Sequence, residues 1–576
     1  MCSTKAVSQP STAWLAHPYL PWFFFLFAAV LILAGTGLRS PWPADEPRFA
    51  LIAKEMVESG QWLFPLRGGE YYPDKPPVFM WSIAVFYALT GSLKLAFLLP
   101  SALCSLLTLF LVYDLGSRLW NRQTGLLAAA SLLFSFQFVL QAKSAQIDAM
   151  VTCWITLGCY GMLRFMLTER RWRWYFTAFF FMGVGVITKG VGFLPVFMLI
   201  PYALYVFRFK QSRRTSFGDI GKWLAGPAIM LVTIGLWLVP MLLVVDTSHD
   251  PLLQQYRDNI LFRQTVTRYA DSWHHIKPFW YYVLNVIPAF WLPLSVALPW
   301  LIPNWIKALR AGDGRILIPL GWVLLVLIFF SISPGKRGVY ILPALPMLAL
   351  IASPYVTEII KRNGFSRLIT VIISALSLVL LTAGVAGLAG VEKLLTLQEK
   401  FEVTPWWWFI FTGSCGLATL LFVREKNTPL CWPVFISLLW VSWSTWGYVL
   451  LENVKTPVNV YDNIRAHHGD NIEVGLVDFA EQFILFSPYP VTHFGFHTPT
   501  ENQLAKAYEW LEDNPSRFVL TSKNNLKGLC FDSEKAEPAG YAHRNEWVLL
   551  SSDSKLGQCT ISAEGIPEYH YRPAAR

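Results

Sequence analysis

The chain has 576 residues, of which 54% are hydrophobic and only 15% are charged, and its net charge is +10. This apolar share lies above the range of soluble domains and the charged share lies well below it, which excludes an ordinary soluble protein. No basic patch is interleaved with exposed aromatic residues, so nucleic acid is not expected as a partner. We expect a polytopic α-helical membrane protein.

Fourteen apolar stretches follow one another, most of them near the ~20 residues that cross a ~30 Å hydrocarbon core as a helix. They lie at about 19–38, 76–91, 93–115, 123–141, 147–168, 174–188, 190–207, 223–245, 280–302, 316–333, 338–357, 368–391, 405–423 and 430–451. Basic loops alternate along this series, as cytoplasmic loops should. They lie at 118–122, 169–173, 208–214, 307–315, 361–367 and 424–426.

The loop charges require the stretch at 76–91 to begin and end on the outer side. This stretch is short and opens with Pro76-Pro77, so it is predicted to be a re-entrant or surface-lying helix. About thirteen spans remain, with the N-terminus in the cytoplasm and the C-terminus outside. A fourteenth span with a weaker charge bias is the alternative.

The last ~125 residues change character and predict a second domain at 453–576, after a transmembrane domain at 1–452. Segments 472–477, 491–495, 517–522 and 546–551 are typical of strands, and segments 480–487 and 501–513 are typical of helices. Their alternation indicates a small α/β domain. Of the eight cysteines, Cys530 and Cys559 lie in this polar region, and they could pair if it is periplasmic.

Between the first two apolar stretches, residues 44–60 have helical periodicity. The apolar positions Phe49, Ile52, Ala53, Met56 and Val57 form one stripe, and Arg48, Lys54, Glu55 and Glu58 lie off it. Pro47 suits a first turn and Gly60 suits a helix end. The pattern predicts an amphipathic helix in the membrane interface. Asp45 could be only its N-cap.

Four outer-face segments carry the residues of interest. They are Asp45-Glu46-Pro47-Arg48, Tyr72-Pro73-Asp74-Lys75-Pro76-Pro77, QIDAM with Asp148, and SPGKRGVYILPALP with Lys336, Arg337 and Tyr340. In these segments the sequence resembles the ArnT/protein-O-mannosyltransferase superfamily of GT-C membrane glycosyltransferases. That family has Asp-Glu-x-Arg and Tyr-x-Glu-Lys-Pro-Pro in its first outer loop, where this chain has Asp74 for the Glu. AEQFILFSPYPV resembles a tail-domain segment of the ArnT branch, which also has thirteen spans.

The resemblance implies a GT-C fold of about 13 transmembrane helices with outer-face juxtamembrane helices and a small C-terminal α/β periplasmic domain. It implies a multi-pass protein of the bacterial inner membrane with a periplasmic active site. Such enzymes move a sugar from a polyprenyl-phosphate carrier to an acceptor. In the ArnT branch the sugar is aminoarabinose and the acceptor is lipid A. By family analogy, the reaction inverts the anomeric centre.

The residue types match these needs. Charge grows on the donor phosphate as the sugar leaves, and fixed cations stabilise that charge best where water is scarce. The candidates for binding the lipid phosphate are Arg48, Lys75, Lys336 and Arg337, with Tyr72 and Tyr340 as hydrogen-bond donors. A carboxylate must orient the acceptor or take its proton. Asp45 is the first catalytic candidate and Asp148 the second, with Glu46 and Asp74 as secondary candidates.

Several of these residues also have plain structural explanations. Lys75 could anchor a helix end by snorkelling, and Asp148 could be only an N-cap. Lys189, also on the outer side, is a weaker candidate. His274 and His275 could bind a divalent metal with Asp74 or Glu70, although two surface histidines are the simpler interpretation.

Two other classes of protein compete. A lipid or sugar transporter would also be polytopic, but it would usually carry ionisable residues near the bilayer midplane and internal repeats. Here the spans have almost no midplane charge, and no internal repeat is found. A scaffold would not require Asp45, Arg48 and Lys75 together. Among transferases, the acceptor could be lipid A, another glycolipid, or a protein serine or threonine.

Overall fold

The computed structural model describes residues 17–209, 219–262, 275–422, 430–512 and 514–573. Up to residue 455 the described chain is almost entirely helical. In chain order the first helices are α1 (Leu20–Leu33), α2 (Glu46–Ser59), α3 (Val78–Thr90), α4 (Leu93–Ala96), α5 (Leu99–Leu119), α6 (Arg122–Leu133), α7 (Phe136–Ala142), α8 (Ile147–Leu163), α9 (Trp172–Lys189), α10 (Leu199–Arg208), α11 (Ile220–Ser248) and α12 (Pro251–Asp258).

Nine further helices complete this part of the chain. They are α13 (Ile287–Phe290), α14 (Leu294–Arg310), α15 (Gly314–Ile332), α16 (Ala344–Ile359), α17 (Asn363–Leu388), α18 (Glu392–Phe401), α19 (Trp406–Phe422), α20 (Cys431–Ser442) and α21 (Tyr448–Lys455). A 3-10 helix at Val191–Met198 leads into α10, and another at Gly338–Ile341 precedes α16.

Within the described ranges, seven helices are long and apolar enough to cross a membrane, or nine if each of two bent helix pairs counts as one span. Other apolar helices, such as α1, α16 and α19, are shorter than 18 residues. The number of thirteen spans therefore stays a prediction. Helix α3 has 13 residues, or about 20 Å, and is one of these shorter apolar helices, so its non-spanning position also stays a prediction.

The helix predicted from the first outer stretch forms as α2, with Pro47 in its first turn and Gly60 at its end in the left-handed region, at φ 72°. Its surroundings differ from the prediction of an interfacial helix. Phe49, Ile52 and Met56 pack against residues of α3 and α5, whereas Leu51 packs in a cluster with residues of the C-terminal segment. Protein therefore covers both sides of α2.

Glu55 is the second difference, because the sequence placed it off the apolar stripe and the structure buries it. A short hairpin, β1 (Leu66–Arg67) and β2 (Glu70–Tyr71), follows α2. The backbone N–H groups of its turn residues, Gly68 and Gly69, donate to the Glu55 carboxylate at 2.6 and 3.2 Å. The carboxylate thus satisfies two turn donors, a use that helical periodicity does not reveal.

The C-terminal segment folds around a six-stranded mixed sheet. Its elements are α22 (Val458–His468), β3 (Glu473–Leu476), α23 (Glu481–Phe486), β4 (Val491–His493), α24 (Thr500–Trp510), β5 (Arg517–Ser522), β6 (Glu537–Ala542), β7 (Asn545–Leu550) and β8 (Tyr569–Tyr571). The strand order is β6-β7-β5-β3-β4-β8, with β3 parallel to β4 and β5 and the other pairs antiparallel. Four strands and two helices match the predictions. Strands β6 and β8 and helix α22 were not predicted; β6 contains Pro538 and Gly540, which are poor strand formers.

Cys530 and Cys559 form a disulfide bond in this segment, as the sequence allowed. Cys530 packs in an apolar cluster with Leu504, Trp510 and Phe531. The bond closes a loop that contains β6 and β7, and Cys559 packs against the same apolar cluster.

Candidate active site

Asp45 and Arg337 meet at the centre of the candidate site. Asp45 occupies the N-cap position of α2, but its side chain makes no capping hydrogen bond. Instead, Arg337 Nη2 donates to Asp45 Oδ2 at 2.9 Å, and Arg48 Nη1 lies 3.7 Å from Asp45 Oδ1. Arg337 directly precedes the 3-10 helix at Gly338–Ile341. The simple cap explanation of Asp45 is therefore wrong, because the carboxylate faces two guanidinium groups.

The electrostatics keep this carboxylate ionised. Burial alone would raise the pKa of Asp45, but Arg337, Arg48 and Lys189 together hold that pKa below its usual value. Burial would likewise lower the pKa of Arg337, but Asp45, with Asp148 and Tyr340, raises it. Both groups are therefore charged at neutral pH, and Arg337 is within electrostatic range of both aspartates.

Asp148 and Lys189 form the second charged pair of the site. Asp148 lies in the first turn of α8 and Lys189 in the last turn of α9, and the Lys189 ammonium makes a short ion pair with Asp148 Oδ1. Gln146 holds the N-cap position, so Asp148 is not a cap. Lys189 Nζ also lies 4.7 Å from the ring centroid of Tyr340. The weaker lysine candidate thus joins the site.

These side chains come from elements that are far apart in sequence. The start of α2, the start of α8, the end of α9 and the turn before α16 contribute them. Three cations, Arg48, Lys189 and Arg337, surround two carboxylates, Asp45 and Asp148, which leaves one net positive charge. The arrangement suits an anionic ligand, with the carboxylates held at fixed positions beside it.

The Tyr72 to Lys75 segment lies next to this group. The Tyr72 ring is fully buried, and Arg67 Cζ lies 5.3 Å from its centroid. Burial raises the pKa of Tyr72, so its phenol stays protonated. Asp74 and Lys75 are half-buried in the short connection between β2 and α3. The roles predicted for Tyr72 and Lys75 at a lipid phosphate stay predictions.

Glu46 holds the outer loop together. Its carboxylate pairs with Arg39 and also accepts from the backbone N–H groups of Trp42 and Ala145, both at 2.9 Å. Both charged side chains are buried. Glu46 thus joins the start of α2, next to Asp45, to the turn before α8, the helix that carries Asp148.

Lys336 has a similar fastening contact. Its ammonium donates to the carbonyl oxygens of Lys277 at 2.9 Å and Ser333 at 2.5 Å, and burial lowers its pKa. The backbones pair as well, because Lys336 N donates to His275 O at 3.0 Å. These contacts hold the turn that carries Arg337 against the segment at 275–279. A contact between Lys336 and phosphate stays a prediction.

The metal prediction involves residues that the structure covers only in part. His274 lies outside the described residues, while His275 is exposed and Asp74 is half-buried. Among the described residues, no group of three or more His, Cys, Asp or Glu side chains could hold a metal ion.

Two further charged residues of the site, Glu481 and Arg67, were not predicted from the sequence. Glu481, in the first turn of α23, accepts a hydrogen bond from Arg48 Nε at 2.5 Å, and its Oε1 lies 3.7 Å from Arg67 Nη1. Glu481 lies inside the AEQF segment that resembles the ArnT tail, but nothing in that spacing points to Arg48. Arg67 sits in an unremarkable LRGG turn.

Similar proteins were found by sequence and by fold. Residues 74–239 match the family described as dolichyl-phosphate-mannose-protein mannosyltransferase. An undecaprenyl phosphate-α-4-amino-4-deoxy-L-arabinose arabinosyl transferase 1 of Pseudomonas fluorescens is 34% identical over 63% of this chain and 65% of its own length. The corresponding transferase 2 of that organism is 32% identical over 67% of this chain and 63% of its own length. The matches with these two relatives thus span just under two thirds of their lengths.

A transferase of the same name from Yersinia enterocolitica is 29% identical over 76% of this chain and 78% of its own length. The crystal structure of ArnT from Cupriavidus metallidurans bound to undecaprenyl phosphate superposes with a TM-score of 0.72 at 18% identity, over 94% of this chain and 100% of that one. That likeness shows the GT-C fold. In sequence and in fold, the chain is thus similar to the ArnT-like and protein-O-mannosyltransferase superfamily of GT-C membrane proteins.

Proposed function

We propose that this protein transfers a sugar from a polyprenyl-phosphate carrier to a lipid acceptor such as lipid A. The observation that carries the proposal is the cluster of Asp45 and Asp148 with Arg48, Lys189 and Arg337. Relatives named as undecaprenyl phosphate-aminoarabinose arabinosyl transferases support the same donor class. Aminoarabinose is the sugar that their names favour.

The proposed chemistry is a displacement at the anomeric carbon. An acceptor oxygen forms the new bond to that carbon while the bond to the donor phosphate oxygen breaks and leaves polyprenyl phosphate. Arg48 and Arg337 are placed to stabilise the negative charge that grows on the leaving phosphate. Attack opposite the leaving group inverts the anomeric centre, and this outcome rests on the family analogy.

The low pKa of Asp45 bears on the acceptor. A carboxylate flanked by arginines is a weak base, because general-base efficiency falls as the pKa falls below the working pH. A hydroxyl acceptor would need a base to remove its proton, whereas a phosphate acceptor is already an anion. The site therefore favours a phosphate of a lipid acceptor, with Asp45 orienting groups rather than deprotonating them. Asp148, held by Lys189, is the second carboxylate that positions the sugar.

The proposal also covers the membrane location and the domain organisation of the protein. The cluster lies on the periplasmic face of the bacterial inner membrane, in a domain of about thirteen spans at 1–452 whose N-terminus is cytoplasmic. Residues 453–576 form the periplasmic α/β domain, and the disulfide bond between Cys530 and Cys559 suits that oxidising compartment. Lys75, Tyr72, Lys336 and Tyr340 remain candidates for the donor phosphate.

The test is mass spectrometry of lipid A from cells with the wild-type protein, with a deletion, and with Asp45→Asn at matched membrane levels. Loss of a sugar-sized mass in both the deletion and Asp45→Asn supports the proposal, and the mass identifies the sugar. An unchanged lipid A profile in the deletion removes lipid A as the acceptor and directs the search to other glycolipids and glycoproteins. If only the deletion loses the sugar, the transferase remains and the role of Asp45 fails.

A further inference from the structure

The C-terminal segment clasps the first outer loop at several points. His493 Nε2 donates to Gly68 O at 2.7 Å, and Phe496 N donates to the Glu70 carboxylate at 2.9 Å. Lys54 Nζ on α2 donates to the Tyr571 hydroxyl at 2.8 Å. These contacts join β4, the following turn and β8 to the hairpin after α2 and to α2 itself. The α/β segment is thus packed directly on the loop that carries Asp45 and Arg48.

Glu481 is the residue of this clasp that reaches the candidate site. It is 5% exposed and lies in the first turn of α23. Its carboxylate accepts from Arg48 Nε, on the side of the guanidinium group away from the terminal nitrogen that approaches Asp45. Arg48 therefore bridges two carboxylates, Glu481 from the C-terminal segment and Asp45 from the outer loop. The hydrogen bond at Nε, together with the 3.7 Å ion pair at Nη1, restricts the orientation of this guanidinium group.

Arg67 explains why a carboxylate is needed at this position. It is 1% exposed, and its Cζ lies 3.7 Å from the ring centroid of Phe496. Among the described residues, Glu481 is the carboxylate that pairs with Arg67, and the Nε and Nη1 atoms of Arg67 have no hydrogen-bond acceptor. Without Glu481, a buried arginine would lose its counter-charge beside Arg48, and the two cations would repel each other.

We propose that Glu481 is a positioning residue for sugar transfer, which orients Arg48 beside Asp45 and so makes the C-terminal α/β segment part of the active site. The inference rests on the proposed function. Arg48 keeps its charge when Glu481 is neutralised, so it still attracts an anionic donor, but its guanidinium group is no longer held at a fixed angle. Losing this orientation should therefore weaken stabilisation of the transition state more than it weakens binding of the donor.

The experiment uses the full-length protein in lipid nanodiscs, with undecaprenyl phosphate-aminoarabinose as donor and purified lipid A as acceptor. We expect Glu481→Gln to lower kcat at least tenfold while the donor KM changes less than threefold. Glu481→Asp keeps the charge and should recover part of the lost kcat. The matched control is Glu501→Gln, which neutralises an exposed carboxylate of the same segment paired with Lys527. It should behave as wild type.

A double-mutant comparison separates positioning from mere folding. If Glu481 acts through Arg48, adding Glu481→Gln to an Arg48→Gln protein should lower kcat little further. A Glu481→Gln protein with more than half of wild-type kcat would overturn the inference, and so would additive losses in the double mutant. If Glu481→Gln does not fold, adding Arg67→Met removes the buried cation that Glu481 pairs with. Wild-type kcat per folded molecule in that double variant would mean that Glu481 serves folding alone.

Failure of the proposed function looks different from failure of this inference. A wild-type protein that transfers no sugar to any lipid acceptor removes the proposed function, and the role of Glu481 falls with it. A fully active wild-type protein with an equally active Glu481→Gln variant removes only the role of Glu481.

Discussion

Asp45 accepts a hydrogen bond from Arg337, a residue 292 positions later in the chain, although it stands where a helix cap would stand. Side-chain caps contribute about 1 kcal/mol to a helix, and this aspartate does not provide one. Its carboxylate is directed to the turn before α16 instead. The contact connects the first outer loop to the last third of the helical part of the chain.

Asp45→Asn should therefore remove activity without unfolding the protein. The amide keeps the size of the side chain but loses the charge that faces Arg337 and Arg48, and we expect sugar transfer to fall about 100-fold or more. Thermal unfolding of the purified protein should shift by less than a few degrees. Asp470→Asn, which changes an exposed carboxylate paired with Arg465, is the matched control. An Asp45→Asn protein with wild-type turnover would contradict the assignment.

Substitutions in the pair of Asp148 and Lys189 should change stability as well as activity. Lys189→Met leaves the Asp148 carboxylate buried without its ammonium partner, which we expect to cost about 3 kcal/mol of unfolding free energy. Adding Asp148→Asn removes the unpaired charge and should restore most of that stability. Transfer should stay low in the double variant, because the second carboxylate is gone. Recovery of both stability and transfer would show that the pair is only structural.

Local patterns predicted the elements better than the contacts between them. The periodicity of residues 44–60 predicted the bounds of α2, and strand-like segments predicted β3, β4, β5 and β7. These signals are local, because the spacing of apolar residues within a short segment predicts a helix or a strand. Basic loops indicated which segments share a face, which brought Asp45, Asp148 and Arg337 to one side of the membrane.

The pairings within that face were not predictable in the same way. Lys189 looked like an isolated lysine between two helices, and Glu481 like an ordinary first-turn residue. Each finds its partner in a different part of the chain, at Asp148 and at Arg48. Amphipathic periodicity likewise placed Glu55 on a polar face, although the turn at Gly68 needs its carboxylate. Long-range packing determines the partners of these three side chains, and the spacing of residues along the chain does not predict that packing.

Gly68 should not tolerate a side chain. It has a φ of 67°, and a Cβ atom there would lie 2.8 Å from Ile484 Cδ1 and 2.9 Å from His493 Nε2. Gly68→Ala should therefore loosen the clasp between the hairpin and the C-terminal segment, and we expect a loss of at least 1 kcal/mol in unfolding free energy. Limited proteolysis of the segment after 453 should become faster. Gly528→Ala has a similar φ but open space around it, so it controls for backbone strain alone.

The disulfide bond between Cys530 and Cys559 should stabilise the C-terminal segment. The cysteines are 29 positions apart, and a loop of that length corresponds to ~3–4 kcal/mol in the chain-entropy model. Replacing both cysteines by serine should lower the unfolding temperature of this segment, and a reducing agent should do the same to the wild-type protein. The variant should show no further loss on reduction. An identical loss in the variant would place the sensitivity at another residue.

Glu55 should make stability depend on pH. Burial raises its pKa from 4.5 to about 7, and the N–H groups of Gly68 and Gly69 offset only part of that effect. The folded protein therefore holds the proton more tightly than the unfolded chain does. The unfolding free energy should fall as the pH rises from 4.5 to about 7, by ~3 kcal/mol in total, and level off above that.

The measurement is thermal unfolding between pH 4.5 and pH 8 for the wild-type protein and Glu55→Gln. The amide cannot ionise, so the difference between the two proteins should shift in favour of the variant as the pH rises. Glu509→Gln, at an exposed carboxylate of α24, should follow the wild-type curve. Parallel curves for wild type and Glu55→Gln would mean that the two turn glycines stabilise the ionised carboxylate fully. Glu55 would then be charged at neutral pH in spite of its burial, and the hairpin turn would donate to a carboxylate rather than to a carboxylic acid.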